Sequence, residues 1–150
     1  MKTEILFPEV ANLCGDLMNV TYLRQCCPEM EVVETGLKDR PAFLDGGVDL
    51  VYVGSATERG LQLMVKALAP YRAELERYVD GGGLMLATGN ALDALGEYVV
   101  IDGKRAFDGL GILKTHAEYH MMKRHNSFLL GSFQDMEIVG FKSLFGHTYP

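Results

Sequence analysis

The chain has too few cysteines, wrongly spaced, for a disulfide scaffold or a zinc site. Cys14, Cys26 and Cys27 are an odd number, and two of them are adjacent, a spacing that closes no useful loop. All three read as reduced, packed thiols. No apolar run approaches the roughly 18 residues needed to cross a bilayer, and the opening MKTEILFPEV has too short an apolar stretch for a secretory signal. A cytoplasmic protein is the expectation. Clusters of basic residues are missing as well: the 14 Lys and Arg are scattered and outnumbered by 20 Asp and Glu, for a net charge of −6 and a pI near 5.1. That balance speaks against nucleic acid and anionic membrane as partners. The five prolines and 17 glycines stay short of low complexity, and 48% of the chain is apolar, so the composition is that of an ordinary globular domain. At 150 residues, one domain spanning 1–150 is expected.

What is present is an alternation of strand and helix signals. Thr3 to Phe7 is a short apolar run stopped by Pro8, which reads as a buried strand. In the stretch NLCGDLMNVTYLRQCC that follows, Leu13, Leu17 and Leu23 lie near helical spacing, with Asp16 available as an N-cap. Glu31 to Thr35 and Asp49 to Val53 read as second and third strands. Helical spacing then runs from Glu58 to Val79, with Pro70 starting a second segment and Gly81-Gly82-Gly83 closing it, and Leu84 to Ala87 is the next strand. Strands of this kind, apolar almost throughout and alternating with helices, predict a parallel sheet covered on both faces. Ligands bind such sheets beyond the carboxyl ends of the strands. Three stretches gather there: FPEVANLCGD, GSATERG and TGNA.

From Glu97 the pattern changes to short alternating runs (EYVVI, KRAF, SFLLGSF, EIVGFK), and Asp102-Gly103 between two of them is a hairpin signal. The C-terminal third is therefore expected to be an antiparallel extension.

The turns are more specific than the elements. NLCGDLMNVTYLRQ, VDLVYVGSATERGLQ, LMLATGNALDALGEYVVIDGKRAFDGLGIL and EIVGFKSLFGHTY resemble, in order and spacing, the CobB/CobQ-like class I glutamine amidotransferases. The resemblance is greatest to the amidotransferase subunit (GatD) of lipid II isoglutaminyl synthase, and it covers essentially all of this chain. It implies a flavodoxin-like three-layer α/β/α fold with a mostly parallel sheet. It also implies a site in which a cysteine at a strand-to-helix elbow attacks the glutamine side-chain amide, a histidine serves as base, and glycine-rich backbone supplies oxyanion donors.

The chain departs from that scheme at each step. Matching its elbow to the family's Ile-Cys-Gly-Gly-Tyr-Gln-Leu-Leu-Gly puts Gly89 at the nucleophile and Asp93 at the glutamine. The family's Gly-Gly-Gly becomes Gly54-Ser55-Ala56, Leu144 stands where histidine is usual, and His147 stands where arginine is usual. The family's Tyr-Leu-His-Gly element, which carries the catalytic histidine, lies beyond Pro150, so the domain is expected to be short at its C-terminus. Loss of nucleophile and base, which act as a unit, implies a catalytically inactive relative.

No catalytic residue, metal site or cofactor is therefore expected. A residual pocket is expected at Asp16, Gly54, Ser55, Ala56, Arg59, Thr88, Gly89 and Asn90, with Asn19 beside it. Asp16 and Asn90 serve equally well as helix caps, and Arg59 as a solvated helix-start residue. Cys14 reads as a small residue at a helix start, and Thr88 as a structural residue with no base. Ser55 also has no histidine partner, and His116, His120 and His125 read as surface or loop residues. Two non-enzymatic roles remain open: a structural or regulatory partner of a Mur-ligase-like or other amidotransferase subunit, and a ligand-binding module. The competing expectation is an active amidotransferase passing ammonia to a ligase in peptidoglycan or cobyrinate-type amidation. An apolar sheet edge left uncovered predicts a homodimer or hetero-complex.

Overall fold

Four strands, β1 (Lys2–Leu6), β2 (Glu31–Thr35), β3 (Leu50–Val53) and β4 (Leu84–Ala87), form an all-parallel sheet in the order β2-β1-β3-β4. The computed structural model describes every residue from Met1 to Pro150. Each expected strand is present to within a residue or two at its ends. β1 ends before Phe7, which takes φ 57° and turns the chain out of the strand.

Helices α2 (Glu58–Leu68) and α3 (Arg72–Asp80) are separated by a 3-10 turn at Ala69–Tyr71 that contains Pro70, as the sequence predicts. Thr57 caps α2 by accepting a hydrogen bond from the Gly60 N–H. With α4 (Ala91–Leu95), these helices lay Leu61, Met64, Leu68, Leu75, Ala91 and Ala94 against Leu6, Val51 and Val53, making the main core on one face of the sheet. On the other face, α1 (Met18–Cys26) sets Val20 against Ile5 and Tyr52 in a smaller cluster.

Coverage of that second face stops short. Leu86 is paired with Tyr52, so it lies on the α1 side, yet the cluster under α1 draws on β1, β3 and Val32 of β2 and not on β4. Leu84 is 62% exposed and Leu86 39% exposed on the edge strand β4. The expectation of a sheet covered on both faces therefore fails at β4, because a single helix, about 10 Å across, covers only two or three strands spaced about 4.8 Å apart.

β1 also holds an unexpected charge in the core. Glu4 is wholly buried, and its carboxylate accepts hydrogen bonds from the backbone N–H groups of Ala42 (2.6 Å) and Phe43 (2.7 Å) and from Thr35 Oγ1 (2.5 Å). Three donors satisfy the buried carboxylate and cap the 3-10 turn Ala42–Asp45.

The C-terminal third builds a second sheet from β5 (Tyr98–Ile101), β6 (Lys104–Asp108), β7 (His116–Tyr119) and β10 (Gly146–Tyr149), in the order β10-β7-β5-β6. Asp102 (φ 48°) and Gly103 (φ 79°) turn β5 into β6, the left-handed pair that an Asp-Gly hairpin requires. β5 and β7 pair in parallel, so this sheet is mixed rather than purely antiparallel. β8 (His125–Phe133) and β9 (Met136–Leu144) pair only with each other. No helix is long and apolar enough to cross a membrane.

Candidate functional site

The loops after β1, β3 and β4 meet at the carboxyl edge of the parallel sheet, where the sequence places the site. Leu13 of the first loop donates its backbone N–H to Ser55 O of the second at 2.9 Å. Thr88 of the third continues the β3–β4 ladder by donating its N–H to Val53 O at 3.0 Å. Seven of the eight expected pocket residues converge here. Arg59 does not: it lies exposed on the first turn of α2 and makes no hydrogen bond or ion pair, which fits its solvated reading.

Asp16 is at the centre of the cluster. Its Oδ2 accepts from the Ser55 backbone N–H and from Thr88 Oγ1, both at 2.5 Å, and its Oδ1 accepts from Asn19 Nδ2 at 2.8 Å. Asp16 therefore does not cap α1; Leu17 occupies the cap position, and no side chain caps it. The carboxylate instead ties together three loops that are distant in sequence. Partial burial works against its charge, but the hydrogen bonds from Thr88, Ser55 and Tyr52 outweigh this and hold its pKa below the ordinary 3.8.

Asn90 also does something other than capping. It stands at the N-cap position of α4 without a side-chain cap bond. Its Oδ1 accepts from Ala56 N at 3.0 Å while its Nδ2 donates to Ala56 O at 2.8 Å. This reciprocal pair uses up both backbone groups of Ala56. The N–H groups of Ser55 and Ala56 are thus occupied by the chain's own Asp16 and Asn90.

Gly89 sits at the tip of the strand-to-helix elbow with φ +53°. A Cβ built there would lie 2.8 Å from Ser55 Cβ, closer than real Cβ contacts. A side chain at the elbow is therefore opposed both by backbone conformation and by the side chain of Ser55. Gly54 is also constrained: a Cβ would collide with Ala11 O, so the first loop lies directly on the second.

The cluster also contains Tyr52, which the sequence shows only as a core strand residue. Its hydroxyl donates to Asp16 O at 2.9 Å and lies 3.2 Å from Thr88 Oγ1. The available signal was chemical: a buried tyrosine needs a partner for its hydroxyl, and β3 ends at the ligand edge.

The arrangement lacks a nucleophile with a base. The only group positioned to take the Thr88 proton is Asp16, and a carboxylate with a depressed pKa is a weak base. None of the histidines hydrogen-bonds to Thr88 or Ser55. His116 lies in β7, stacked between Tyr98 and Tyr149, His120 follows that strand, and His125 lies in β8 against His147. The three cysteines are unpaired, and the packed-thiol expectation fails for Cys14 and Cys26 but not for Cys27, which packs against the smaller cluster. Cys14 and Cys26 are exposed and Cys27 is partly exposed, because Cys14 lies in a 3-10 turn at the site's rim and the other two at the open end of α1.

Asp93 belongs to a separate buried device. It accepts from Tyr119 Oη and Thr148 Oγ1, each at 2.6 Å, and joins α4 to the second sheet. Burial, then the bond to Asp93, pushes the Tyr119 phenol well above its ordinary range. The chain matches no protein-family model, and no curated protein matches it.

Proposed function

We propose that this chain is a catalytically silent relative of the class I glutamine amidotransferases, a flavodoxin-like three-layer domain kept for binding or docking after the glutaminase chemistry was lost. The observation that carries the reading is the internal stapling of the loop after β3. Asp16 and Asn90 take the Ser55 and Ala56 N–H groups, and Ser55 fills the space a side chain at Gly89 would need. In an oxyanion hole such donors must be free to meet developing charge. Three unpaired thiols suit a reducing compartment, and the proposal places the protein in the cytoplasm. Its partner in this reading is a Mur-ligase-like or other amidotransferase subunit.

Glutamine-dependent ammonia release tests this. The unmodified chain, Gly89→Cys and the double variant Ser55→Gly/Gly89→Cys are all expected to match a buffer blank, because the double variant restores room for a thiol but supplies no base. Release by the unmodified chain would overturn the proposal. A Cys14→Ser control then tells whether the exposed rim thiol is the nucleophile.

A further inference from the structure

The β8–β9 hairpin makes its strand pairs only with itself, yet it is apolar on both faces. Directly opposed residues of an antiparallel pair share a face, and faces alternate along the strand. One face therefore carries Phe128, Phe141, Leu130 and Val139. Phe128 is 83% exposed, and the two phenylalanine rings meet edge to face at 5.5 Å. The other face carries Phe133, Met136, Leu129 and Ile138, all exposed, together with Gly131 and Gly140. The four apolar side chains on each face leave on the order of 500 Å² in water, at the upper end of the about 300–600 Å² of the largest apolar patch on a typical monomer, and here there are two such faces back to back. Two strands alone are also only marginally stable.

The glycine-bearing face has a pattern that fits itself. Leu129 pairs with Gly140, and Ile138 pairs with Gly131, so two knobs and two holes alternate as on a checkerboard. A twofold axis in the plane between two such faces, running along the strands, sets each Leu129 over the other copy's Gly140 and each Ile138 over the other's Gly131. The same axis sets Phe133 over Met136, a favourable sulfur–aromatic pairing. It sets Lys142 over Ser127 rather than over a second Lys142, so no like charges face each other. The opposite face pairs large residues with large ones and has no holes.

We infer that this glycine-bearing hairpin face docks on the same face of a second copy of the chain, forming a four-stranded sandwich about a twofold axis. Closing it removes on the order of 500 Å² from each copy. The total of about 1,000 Å² is at the lower limit for a specific interface, the size of a weak, reversible dimer, and an isologous contact is the commonest kind in homodimers.

Two glycines make a clean test, because neither has a positive φ and a Cβ meets nothing within 4 Å at Gly131 and only Leu129 Cβ, at 4.0 Å, at Gly140. Gly131→Leu is thus tolerated by the separate chain but overfills the hole twice per dimer. Sedimentation equilibrium is expected to show a dimer for the unmodified chain and for Val139→Lys on the opposite face. For Gly131→Leu it is expected to show a dissociation constant raised about a hundredfold, with an unchanged far-ultraviolet circular dichroism spectrum. A monomeric unmodified chain, a dimer indifferent to Gly131→Leu, or a dimer broken by Val139→Lys alone would each overturn the inference. Mass is the readout, so these outcomes are independent of the ammonia assay.

Discussion

Replacing Asp16 by alanine removes the carboxylate that holds three loops together, and the structure sets the size of the effect. Three hydrogen bonds end on it, from Ser55 N–H, Thr88 Oγ1 and Asn19 Nδ2. Bonds to a charged group contribute about 1.5–3 kcal/mol each when buried, which would total about 6 kcal/mol. Asp16 is only partly buried, and the Asn19 end is exposed, so water replaces much of this. The expected loss for Asp16→Ala at neutral pH is about 2 kcal/mol, or roughly 4–8 °C in Tm for a chain of this size. The pH dependence provides an internal control. The folded-state pKa of Asp16 lies below the ordinary 3.8, so as pH falls the unfolded chain binds the proton first. The stability conferred by the ionised carboxylate is therefore complete above 3.8 and is lost as pH falls through the folded-state value. Urea unfolding followed by circular dichroism, at one protein concentration, compares the two proteins at neutral pH and at the acid limit of the folded range. The gap between them should shrink in acid. A neutral-pH gap below about 0.5 kcal/mol, the ordinary size of a surface substitution, would refute the view that Asp16 staples the loops, and so would a gap that does not change with pH.

Two further outcomes follow from the same geometry. Asp93 is only 6% exposed and accepts from two hydroxyls, so Asp93→Ala leaves the Tyr119 hydroxyl buried without a partner and should lower stability by about 3 kcal/mol in urea titration. Asp93→Asn keeps an acceptor oxygen and should recover part of that loss. Gly89→Ala should cost about 2 kcal/mol or more, about 1–2 kcal/mol of it from the left-handed backbone and the rest from contact with Ser55. In a Ser55→Gly background only the backbone part should remain. A double-mutant cycle with no coupling would show that Ser55 does not close the elbow.

Much of the architecture was legible because it rests on local chemistry. Strand identity follows from short apolar runs bounded by breakers, and the α2–α3 break from Pro70, which cannot continue the hydrogen-bonding ladder. The β5–β6 turn follows from Asp102-Gly103, which reaches left-handed φ at little strain. Most of the residues named from the turns meet at the carboxyl edge of the parallel sheet, where loops that follow parallel strands must gather.

What could not be read locally was the choice of partner. Asp16 and Asn90 are good caps on sequence grounds, yet each is used instead to bridge to the loop after β3, 39 and 34 residues away. Capping and bridging draw on the same acceptor atoms, and only the packing of the loops decides between them. Glu4, in the middle of an apolar strand, could not have been foreseen as a buried cap for a turn 38 residues further on. The sequence by itself therefore determined the elements, their alternation and the glycine at the turn after β4, because backbone sterics and side-chain chemistry act within a few residues. Only the tertiary structure decided that the loops at the carboxyl edge are stapled to one another, that β4 is left half bare, and that the β8–β9 hairpin is apolar on both faces. Those outcomes depend on which distant groups come within a hydrogen bond or a van der Waals contact of one another.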